Sequence, residues 1–424
     1  MRILVLQDDF PPRPGGGAGS VSFSLAEGYT RRGHAVLVLA TSPDPEDAGE
    51  RGVAGFRVRT IVSKSPGRWR AYWSLYNPRA VAEVKKTLQS FNPDVVHAHN
   101  VHARLSYAAL YAAKRYGARV ILTCHDVMPF NYGKLLGLLS PNDTSIPTSF
   151  DYRISPCRQL REQRFRYNPF RNVVIRYVLR TSVDHVVAVS DALAEALRQN
   201  GIPNVTTIHN GIDVSHWIPK SDGVQIFKDT HAVGDYAVLF GGRLSRVKGA
   251  PELLKALARV VKVLPQVQLL VIGAEDAYAS HMRTLATELG IGDRLICTGW
   301  LSGTELCAAY HAAALVCVPS VCFDSFPTMN LEAMACHKPV IATCVGGSRE
   351  AVVDGETGYI VNPYGLNAMT GKLSELLTNR EKNARFGEAG YARVVTEFSQ
   401  TEQVHKYEQL FMPNTRSIAA QTVR

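Results

Sequence analysis

The sequence predicts an α/β protein with two doubly wound, parallel-sheet domains that face each other across a cleft. Short β-branched apolar runs, each bounded by turn residues, alternate with segments of helical periodicity. This alternation is typical of βαβ units whose sheet is buried on both faces. The first series of predicted strands lies at residues 3–6, 35–39, 95–97, 119–123 and 186–189. The second series lies at residues 236–240, 268–272, 294–297, 314–318 and 340–343. A chain of 424 residues exceeds one ordinary core, so two domains of about 200 residues are expected.

A segment without clear periodicity, residues 210–235, separates the two series and contains Pro219, Gly223 and Gly234. We predict the linker there and divide the chain into a first domain, residues 1–212, and a second domain, residues 213–396. The remaining residues, 397–424, begin with a helix-like stretch that we expect to cross back onto the first domain. Ligands of doubly wound sheets bind at the carboxyl ends of the strands, so the cleft between the domains is the expected active site.

The composition indicates a globular cytoplasmic protein. Apolar residues make up 46% and charged residues 20% of the sequence, and no apolar run approaches the ~20 residues that a membrane span needs. The first residues are typical of a strand that soon turns acidic, at Asp8, and not of a signal peptide. The eight cysteines include no CxxC pair and are expected to be reduced thiols, so a zinc site is not expected.

The formal net charge is +10, and arginine is dense between residues 153 and 180. Five apolar side chains fall at helical spacing within this stretch, and we interpret them as inward-facing, with the arginines on a solvated helix face. They are Phe170, Val173, Val174, Tyr177 and Val178. The alternative is peripheral contact with the inner face of an anionic membrane. Nucleic-acid binding is not expected, because the basic residues are not interleaved with aromatic residues in a recognisable module.

A glycine-rich basic turn follows the first strand of the second series. Residues 241–249 have the sequence GGRLSRVKG and precede a predicted helix at 251–261. Gly242 lets a ligand approach the backbone, and Arg243 and Lys248 place two cations at the carboxyl end of a strand. Guanidinium and ammonium groups both suit phosphate oxygens, so the turn predicts a diphosphate site.

Two carboxylates, Asp324 and Glu332, flank the start of another predicted helix in the second domain. We expect the backbone N–H groups of Thr328, Met329 and Asn330 to be unpaired at that helix start and to bind phosphate or sugar oxygens. Ionised carboxylates accept hydrogen bonds from hydroxyl groups. The pattern therefore predicts contacts to a ribose or a hexose.

In the first domain, His125 follows a predicted strand and is the candidate for contact with a sugar hydroxyl or for proton transfer. The nearby His97, His99 and His102 have no obvious acidic partner, and no metal site is predicted from them. The irregular residues 128–156 carry four prolines and are a candidate lid on the acceptor side.

These motifs together resemble those of the family 4 retaining glycosyltransferases, which have GT-B architecture. The resemblance covers essentially the whole chain and includes three motifs of the second domain besides the GGRL…KG turn: LEAMA at 331–335, Gly346-Gly347 with Glu350, and DGETG at 354–358. It extends to the glycines at 15–17, to Val189-Ser190 and to NGID at 210–213.

The resemblance implies a role for each matching position. Arg243 and Lys248 match the pair that neutralises the donor diphosphate, and Glu332 matches the acid that binds the ribose. Asp324 stands where the family usually has a glutamate that contacts the transferred sugar, so its carboxylate is one methylene shorter. Gly16 and Gly17 match the loop that closes over donor phosphate and acceptor. His125 matches a histidine that contacts the transferred sugar, and His337 stands where a small residue, usually glycine, is common.

The implied reaction moves a sugar from a nucleoside diphosphate sugar to a hydroxyl group of a glycolipid, a polysaccharide precursor or a small-molecule glycoside. Retention by a front-face, internal-return mechanism is what the family implies. No cofactor or metal is expected, and the sequence has no Asp-x-Asp motif. The alternatives are a sugar-nucleotide epimerase of the same architecture and a non-catalytic sugar-nucleotide-binding protein. A dinucleotide-binding oxidoreductase is disfavoured, because GGGAGS at 15–20 lacks the third glycine of GxGxxG.

Overall fold

The computed structural model describes residues 1–13, 16–65, 67–242, 245–273 and 277–412. Over these residues the strands form two sheets, one in each half of the chain. Both halves are Rossmann-like, as the sequence predicts, and every strand pair is parallel except one at the edge of the first sheet.

The first sheet has the strand order β3-β4-β2-β1-β5-β6-β7-β8. Its strands are β1 (Arg2–Gln7), β2 (Ala35–Ser42), β3 (Gly49–Val53), β4 (Phe56–Val62), β5 (Val95–Ala98), β6 (Arg119–Cys124), β7 (His185–Ala188) and β8 (Val205–Thr207). The helices of this half are α1 (Gly17–Arg31), α2 (Arg70–Trp73), α3 (Pro78–Phe91), α4 (Ala108–Tyr116), α5 (Pro156–Gln163), α6 (Arg171–Ser182) and α7 (Asp191–Gln199). In β1, the four residues 3–6 are fully buried, which explains the uninterrupted apolar run.

The second sheet has the order β11-β10-β9-β12-β13-β14. Its strands are β9 (Ala237–Gly241), β10 (Gln268–Ile272), β11 (Leu295–Cys297), β12 (Leu315–Val318), β13 (Val340–Thr343) and β14 (Gly358–Val361). The helices of this half are α8 (Gly223–His231), α9 (Ala250–Val260), α10 (Ala277–Glu288), α11 (Gly303–Ala312), α12 (Thr328–Ala335), α13 (Ser348–Ala351), α14 (Leu366–Thr378) and α15 (Arg380–Glu397). The last helix, α16 (Gln400–Phe411), packs on the first half.

The chain passes between the two halves twice, side by side. Ile212 N–H donates to the Phe398 carbonyl at 2.8 Å, and Gln400 N–H donates to the Ile212 carbonyl at 3.1 Å. Beyond this crossing, α16 packs on α1 in the first half, where Val404 lies so close to Gly28 that a Cβ there would lie 2.5 Å from it. These contacts make α16 part of the layer that covers the first sheet.

Both sheets reverse their strand order at a switch point, which is where doubly wound folds bind ligands. In the first sheet the reversal lies between β1 and β5, and in the second it lies between β9 and β12. The glycine-rich turn that ends β9 and the carboxylate segment that follows β12 therefore meet at one place.

Two expectations from the sequence differ from the structure. The segment 210–235 is not irregular throughout, because it contains α8, of which only Phe227 is buried. A short amphipathic helix with one buried residue leaves too weak a periodicity to recognise.

The inward face of α6 was predicted wrongly. Its buried residues include Ile175, Val178 and Leu179, whereas four apolar side chains that were expected to point inward are exposed. Those four are Phe170, Val173, Val174 and Tyr177. The helix carries two apolar stripes, and helical spacing alone does not indicate which stripe meets the core.

All eight cysteines are free thiols, as expected. Among the described helices, none combines the length and the apolar character that crossing a bilayer requires.

Candidate active site

The switch point of the second sheet brings the predicted donor-binding residues together. Gly242 follows β9 with a φ of +91°, a left-handed conformation that glycine adopts without strain. Lys248 ends a 3₁₀ turn just before α9. Arg243 lies outside the described residues, so its position stays a prediction from the sequence.

Lys248 forms an ion pair with Asp324, which is also a site residue predicted from the sequence. Its Nζ lies 2.5 Å from Asp324 Oδ2, and Ser320 Oγ donates to the same oxygen at 2.9 Å. Burial opposes ionisation of Asp324, but the positive charges of Lys248 and Lys134 and the two hydrogen bonds outweigh it, so the pKa of Asp324 is lowered. The carboxylate is therefore ionised at neutral pH, beside an ammonium group.

Two glycines fix the backbone at Asp324. Gly347 N–H donates to the Asp324 carbonyl at 3.0 Å, and a Cβ at Gly346 would lie 2.1 Å from that same carbonyl oxygen. Gly346 also has a φ of +82°. The Gly346-Gly347 motif was recognised in the sequence only by resemblance, and its physical reason is this close approach of two backbones.

Glu332 lies in the second turn of α12 and is held by Tyr310 of α11. The Tyr310 hydroxyl donates to Glu332 Oε2 at 2.5 Å. Burial raises the pKa of Glu332, against hydrogen bonds from Tyr310 and Thr328 that lower it. Sequence reasoning missed Tyr310, since nothing local links it to a residue 22 positions away.

The first turn of α12 supplies backbone donors, but fewer than expected. The N–H groups of Thr328 and Met329 donate to no other described residue. Asn330 N–H instead donates to the Pro327 carbonyl at 3.1 Å, and the Asn330 side chain is fully buried and donates to Ser348 Oγ. The prediction of an unpaired N–H at Asn330 is therefore wrong, because the tight first turn satisfies it locally.

The glycine loop of the first half faces this helix start. Gly16 precedes α1 with a φ of +69°, and a Cβ at Gly17 would lie 3.5 Å from both terminal atoms of Thr328. The N-termini of α1 and α12 thus point into one narrow space, and each carries a partial positive charge of about half an elementary unit. That space suits an anion.

His125 follows β6 on the first half and is partly buried. Its Nε2 lies 2.8 Å from His99 Nδ1. Burial lowers the pKa of His125 to about 4, with a further lowering from His102 against the opposing charge of Asp126. The imidazole is neutral at physiological pH and is able to exchange hydrogen bonds with a hydroxyl group.

The other histidines of this region bond to protein groups. His97 contacts the Tyr29 hydroxyl at 3.0 Å and Thr123 Oγ1 at 2.8 Å. His102 Nε2 lies 3.8 Å from an Asp126 carboxylate oxygen, the acidic neighbour that the sequence did not reveal. Because these contacts are with side chains of the protein itself, we assign His97 and His102 a structural role.

Residues 128–155 lie across both halves of the molecule, and we call this segment the strap. The Leu135 carbonyl accepts a hydrogen bond from Phe323 N–H at 2.9 Å, directly beside Asp324. Asn362 of the second half donates to the carbonyls of Asp143 and Ser145. The strap also carries Lys134, whose charge acts on Asp324. The sequence indicated an irregular loop here but not its contacts.

A further contact between the halves is made by Glu350. Its carboxylate accepts hydrogen bonds from the N–H groups of Asp191 and Ala192 at the start of α7, and His209 Nε2 lies 2.7 Å away. The ligand atoms of Asp191, His209 and Glu350 lie within 4.8 Å of one another, a spacing that a metal ion could occupy. Because the Glu350 carboxylate accepts from backbone N–H groups at the start of α7, we interpret Glu350 as a cap of that helix, contributed by the other half of the molecule.

His337 occupies the position where the resemblance led us to expect a small residue. Its φ is +55°, in the left-handed region that favours glycine. The ring stacks on Tyr391 at 4.0 Å, and Nδ1 lies 2.9 Å from Glu388 Oε1. These contacts hold the histidine side chain at this position.

Two Rossmann-like halves that enclose such a site define the GT-B class of fold. Comparison with known proteins agrees: the model "Glycosyltransferase Family 4" matches residues 15–216, and the model "Glycosyl transferases group 1" matches residues 223–393. Together they account for most of the chain, which belongs to the family 4 type of glycosyltransferases.

Individual relatives show how broad this likeness is. The chain is 25% identical to a glycogen synthase of Mycobacterium tuberculosis over 94% of this chain and 91% of that protein. It is 32% identical to a D-inositol 3-phosphate glycosyltransferase of Mycolicibacterium smegmatis over 48% of this chain and 45% of that protein.

Solved structures share the whole fold. A sucrose-phosphate synthase from Thermosynechococcus elongatus superposes with a TM-score of 0.76 at 21% identity, covering 99% of this chain and 100% of the other. HepE of Anabaena, solved in complex with UDP and glucose, gives a TM-score of 0.71 at 21% identity, covering 96% of this chain and 98% of the other.

Proposed function

We propose that this protein transfers a hexosyl group from a nucleoside diphosphate sugar to a hydroxyl group of an acceptor, with retention of configuration and without a metal ion. The observation that carries the proposal is the ion pair of Lys248 with Asp324 at the switch point of the second sheet. Asp324 shortly precedes Thr328, the start of α12, which faces Gly17. Cations, a carboxylate and two helix N-termini meet there, as a sugar pyrophosphate requires.

The donor diphosphate lies, in this proposal, between Lys248 and the N-termini of α1 and α12. Negative charge grows on the diphosphate as the sugar departs, so a fixed ammonium group and the N–H groups of Thr328 and Met329 stabilise the transition state. Arg243 adds the second cation that the sequence predicts. The presence of UDP in the complex of the Anabaena neighbour supports a nucleoside diphosphate as leaving group.

Three side chains orient the donor sugars. Glu332, held by Tyr310, accepts hydrogen bonds from the ribose hydroxyls, and Asp324 accepts one from the transferred sugar. Neutral His125 contacts a hydroxyl of that sugar from the first half. In internal return, the departing phosphate oxygen takes the proton of the acceptor hydroxyl while that hydroxyl attacks the same face, so no protein nucleophile is required.

The proposal is tested by incubating the protein with a panel of nucleoside diphosphate sugars and hydroxyl acceptors, with proton NMR of the first product formed. We expect the anomeric configuration of the donor to be kept and turnover to persist in EDTA. Inverted product would exclude internal return, and complete loss of turnover in EDTA would exclude the metal-independent route. Product formed without any acceptor would indicate an epimerase.

We also propose peripheral contact with an anionic membrane through α6 and the turn before it. Phe165, Phe170 and Tyr177 are 69%, 71% and 63% exposed. The guanidinium groups of Arg68 and Arg166 lie 5.4 and 5.7 Å from the Phe165 ring centre. Exposed aromatic side chains surrounded by arginines suit the interface of a bilayer with acidic lipids, and the net charge of +10 favours the approach.

A further inference from the structure

Two arginines of the first half lie beside one tyrosine of the strap. The guanidinium carbon of Arg70 is 5.6 Å from the Tyr132 ring centre, and that of Arg171 is 5.2 Å from it. Arg70 begins α2 and Arg171 begins α6, so the fold brings together residues 101 positions apart. We call these three residues the arginine cluster.

Arg171 is a buried cation that is held by neutral groups. It is 3% exposed, and it donates to Ser74 Oγ, Asn172 Oδ1 and the Met128 carbonyl at 3.3, 3.1 and 2.7 Å. Within the part of the chain that the structure describes, no carboxylate pairs with it directly, although the negative charge of Asp126 acts on it from further away. Burying a cation that no carboxylate pairs with directly is costly, so a protein that keeps one has a reason outside stability.

Arg70 leaves a hydrogen-bond donor without an acceptor. Its Nε is buried and has no hydrogen-bond partner among the described residues, and no described carboxylate pairs with its guanidinium group. Leaving a buried N–H group without a partner destabilises the folded protein. An oxyanion at this point would supply both the missing acceptor and the missing negative charge.

The arginine cluster is connected to the candidate active site on both sides. Met128, which accepts from Arg171, follows His125 by three residues, and Tyr132 precedes Leu135 by three residues on the strap. Leu135 in turn bonds to Phe323, the neighbour of Asp324. The cluster therefore belongs to the first-half side of the cleft, opposite the residues proposed to hold the donor.

We propose that Arg70, Arg171 and Tyr132 form the binding site for a phosphate, or another tetrahedral oxyanion, carried by the acceptor substrate. This inference rests on the proposed function, because it assigns the acceptor's anionic group to the half that does not hold the donor. Two guanidinium forks and a phenol hydroxyl match the oxygens of a phosphomonoester. The acceptor class is thus a phosphorylated hydroxyl compound, either soluble or a lipid with a phosphate headgroup.

The test is a thermal-shift titration with inorganic phosphate in saturating UDP and GDP, which keep the donor diphosphate site occupied. We expect a saturable rise in Tm for the wild type, and a half-saturating concentration about tenfold or more higher for Arg70→Gln, since a charged hydrogen bond is lost. Arg115→Gln is the matched control, because it removes an equal charge from the exposed surface of α4, outside the cluster. Its half-saturation is expected to equal that of the wild type.

Two further arms complete the experiment. Arg70→Lys keeps the positive charge but lacks the forked guanidinium group, so we expect an affinity for phosphate between those of the wild type and Arg70→Gln. The same variant replaces Arg70→Gln in the comparison if Arg70→Gln does not fold. Dihexanoyl phosphatidic acid is titrated in parallel: half-saturation at least about tenfold below that of inorganic phosphate indicates a lipid acceptor, and equal values indicate a soluble one.

The inference is overturned if the wild type shows no saturable response to either compound, or if Arg70→Gln and Arg70→Lys respond as the wild type does. Its failure is distinguishable from that of the proposed function. A wild type that responds to UDP or GDP but not to phosphate contradicts only the acceptor site, whereas a wild type without any nucleotide response contradicts the donor site.

Discussion

Lys248 Nζ lies 2.5 Å from Asp324 Oδ2, although the two residues follow different strands of the second sheet. The pair lies at the edge of that sheet where the carboxyl ends of β9 and β12 meet. It joins the glycine-rich basic turn and the carboxylate segment, which were recognised in the sequence as separate motifs. The ammonium group is thereby oriented before any ligand binds. A donor diphosphate has to share this cation with Asp324, which couples binding of the phosphates to placement of the sugar.

Replacing Asp324 by Asn is expected to separate these roles. The amide cannot accept from the sugar hydroxyl as a charged group does, so turnover falls by about 100-fold or more, as for the loss of one group that acts in the transition state. Nucleoside diphosphate binding does not weaken, because Lys248 no longer shares its charge with a carboxylate. Steady-state turnover and calorimetric titration measure the two effects.

Asp235→Asn is the matched control, since Asp235 pairs with Lys228 at 2.9 Å on the exposed surface. Turnover of Asp324→Asn within about twofold of the wild type would show that the carboxylate has no part in transfer.

Removal of the Tyr310 hydroxyl group tests whether its hydrogen bond positions Glu332 for binding of the donor. In Tyr310→Phe, Glu332 loses a hydrogen bond at 2.5 Å while the aromatic packing stays, so the Kd of the donor rises about three- to tenfold with little change in turnover. Tyr116→Phe loses a comparable bond, to Asn92 at 3.0 Å, outside the cleft, and is expected to bind the donor as the wild type does. An equal Kd in both variants would remove Tyr310 from the site.

The buried histidines predict how stability depends on pH. Burial lowers the pKa of His97 to about 3 and that of His125 to about 4, below the value of about 6.5 that an unfolded chain has. The unfolded state therefore binds more protons below pH 6.5, and the free energy of unfolding falls on acidification by up to about 1.4 kcal/mol per pH unit for each such histidine.

His97→Gln is expected to reduce this slope by about one proton, even if it lowers stability at every pH. Urea unfolding followed by tryptophan fluorescence between pH 7 and 4.5 measures it. His405, which is half exposed, supplies the control His405→Gln. An unchanged slope in His97→Gln would contradict a neutral, buried His97.

The exposed stripe of α6 predicts membrane binding. Phe170→Ser with Tyr177→Ser is expected to weaken binding to vesicles of phosphatidylserine and phosphatidylcholine by at least about tenfold, because two large apolar side chains no longer enter the bilayer interface. Co-sedimentation measures the partition. The control exchanges Ile226 and Val263 for Ser, which are 62% and 69% exposed elsewhere. Equal losses in both double variants would show that α6 is not the contact.

The sequence predicted best what depends on local burial. The central strands are continuous apolar runs because both their faces are covered, so their positions were confirmed within three residues at each end. Strand β4, next to the edge strand β3, was missed, because Arg57 and Arg59 interrupt its apolar run. The antiparallel β3, with charged residues at 50 and 51, gave no signal either.

Contacts between residues that lie far apart in the chain could not be predicted from the sequence. Lys248 and Asp324 were each recognised by motif, but their pairing follows from the strand order of the second sheet. Tyr310, Lys134 and Arg70 lie in segments without any motif, and only the fold brings them to the cleft. The two stripes of α6 show the same limit, because periodicity defines a face but not the neighbour that covers it.

A thermal-shift panel of nucleoside diphosphates on the wild type and Lys248→Ala measures whether the ammonium group of Lys248 binds the donor diphosphate. A ligand at 100 times its Kd stabilises the wild type by about 2.7 kcal/mol. We expect this shift to disappear in Lys248→Ala and to remain in Lys228→Ala, which removes an ammonium group that pairs with the exposed Asp235. An equal shift in all three proteins would contradict the account.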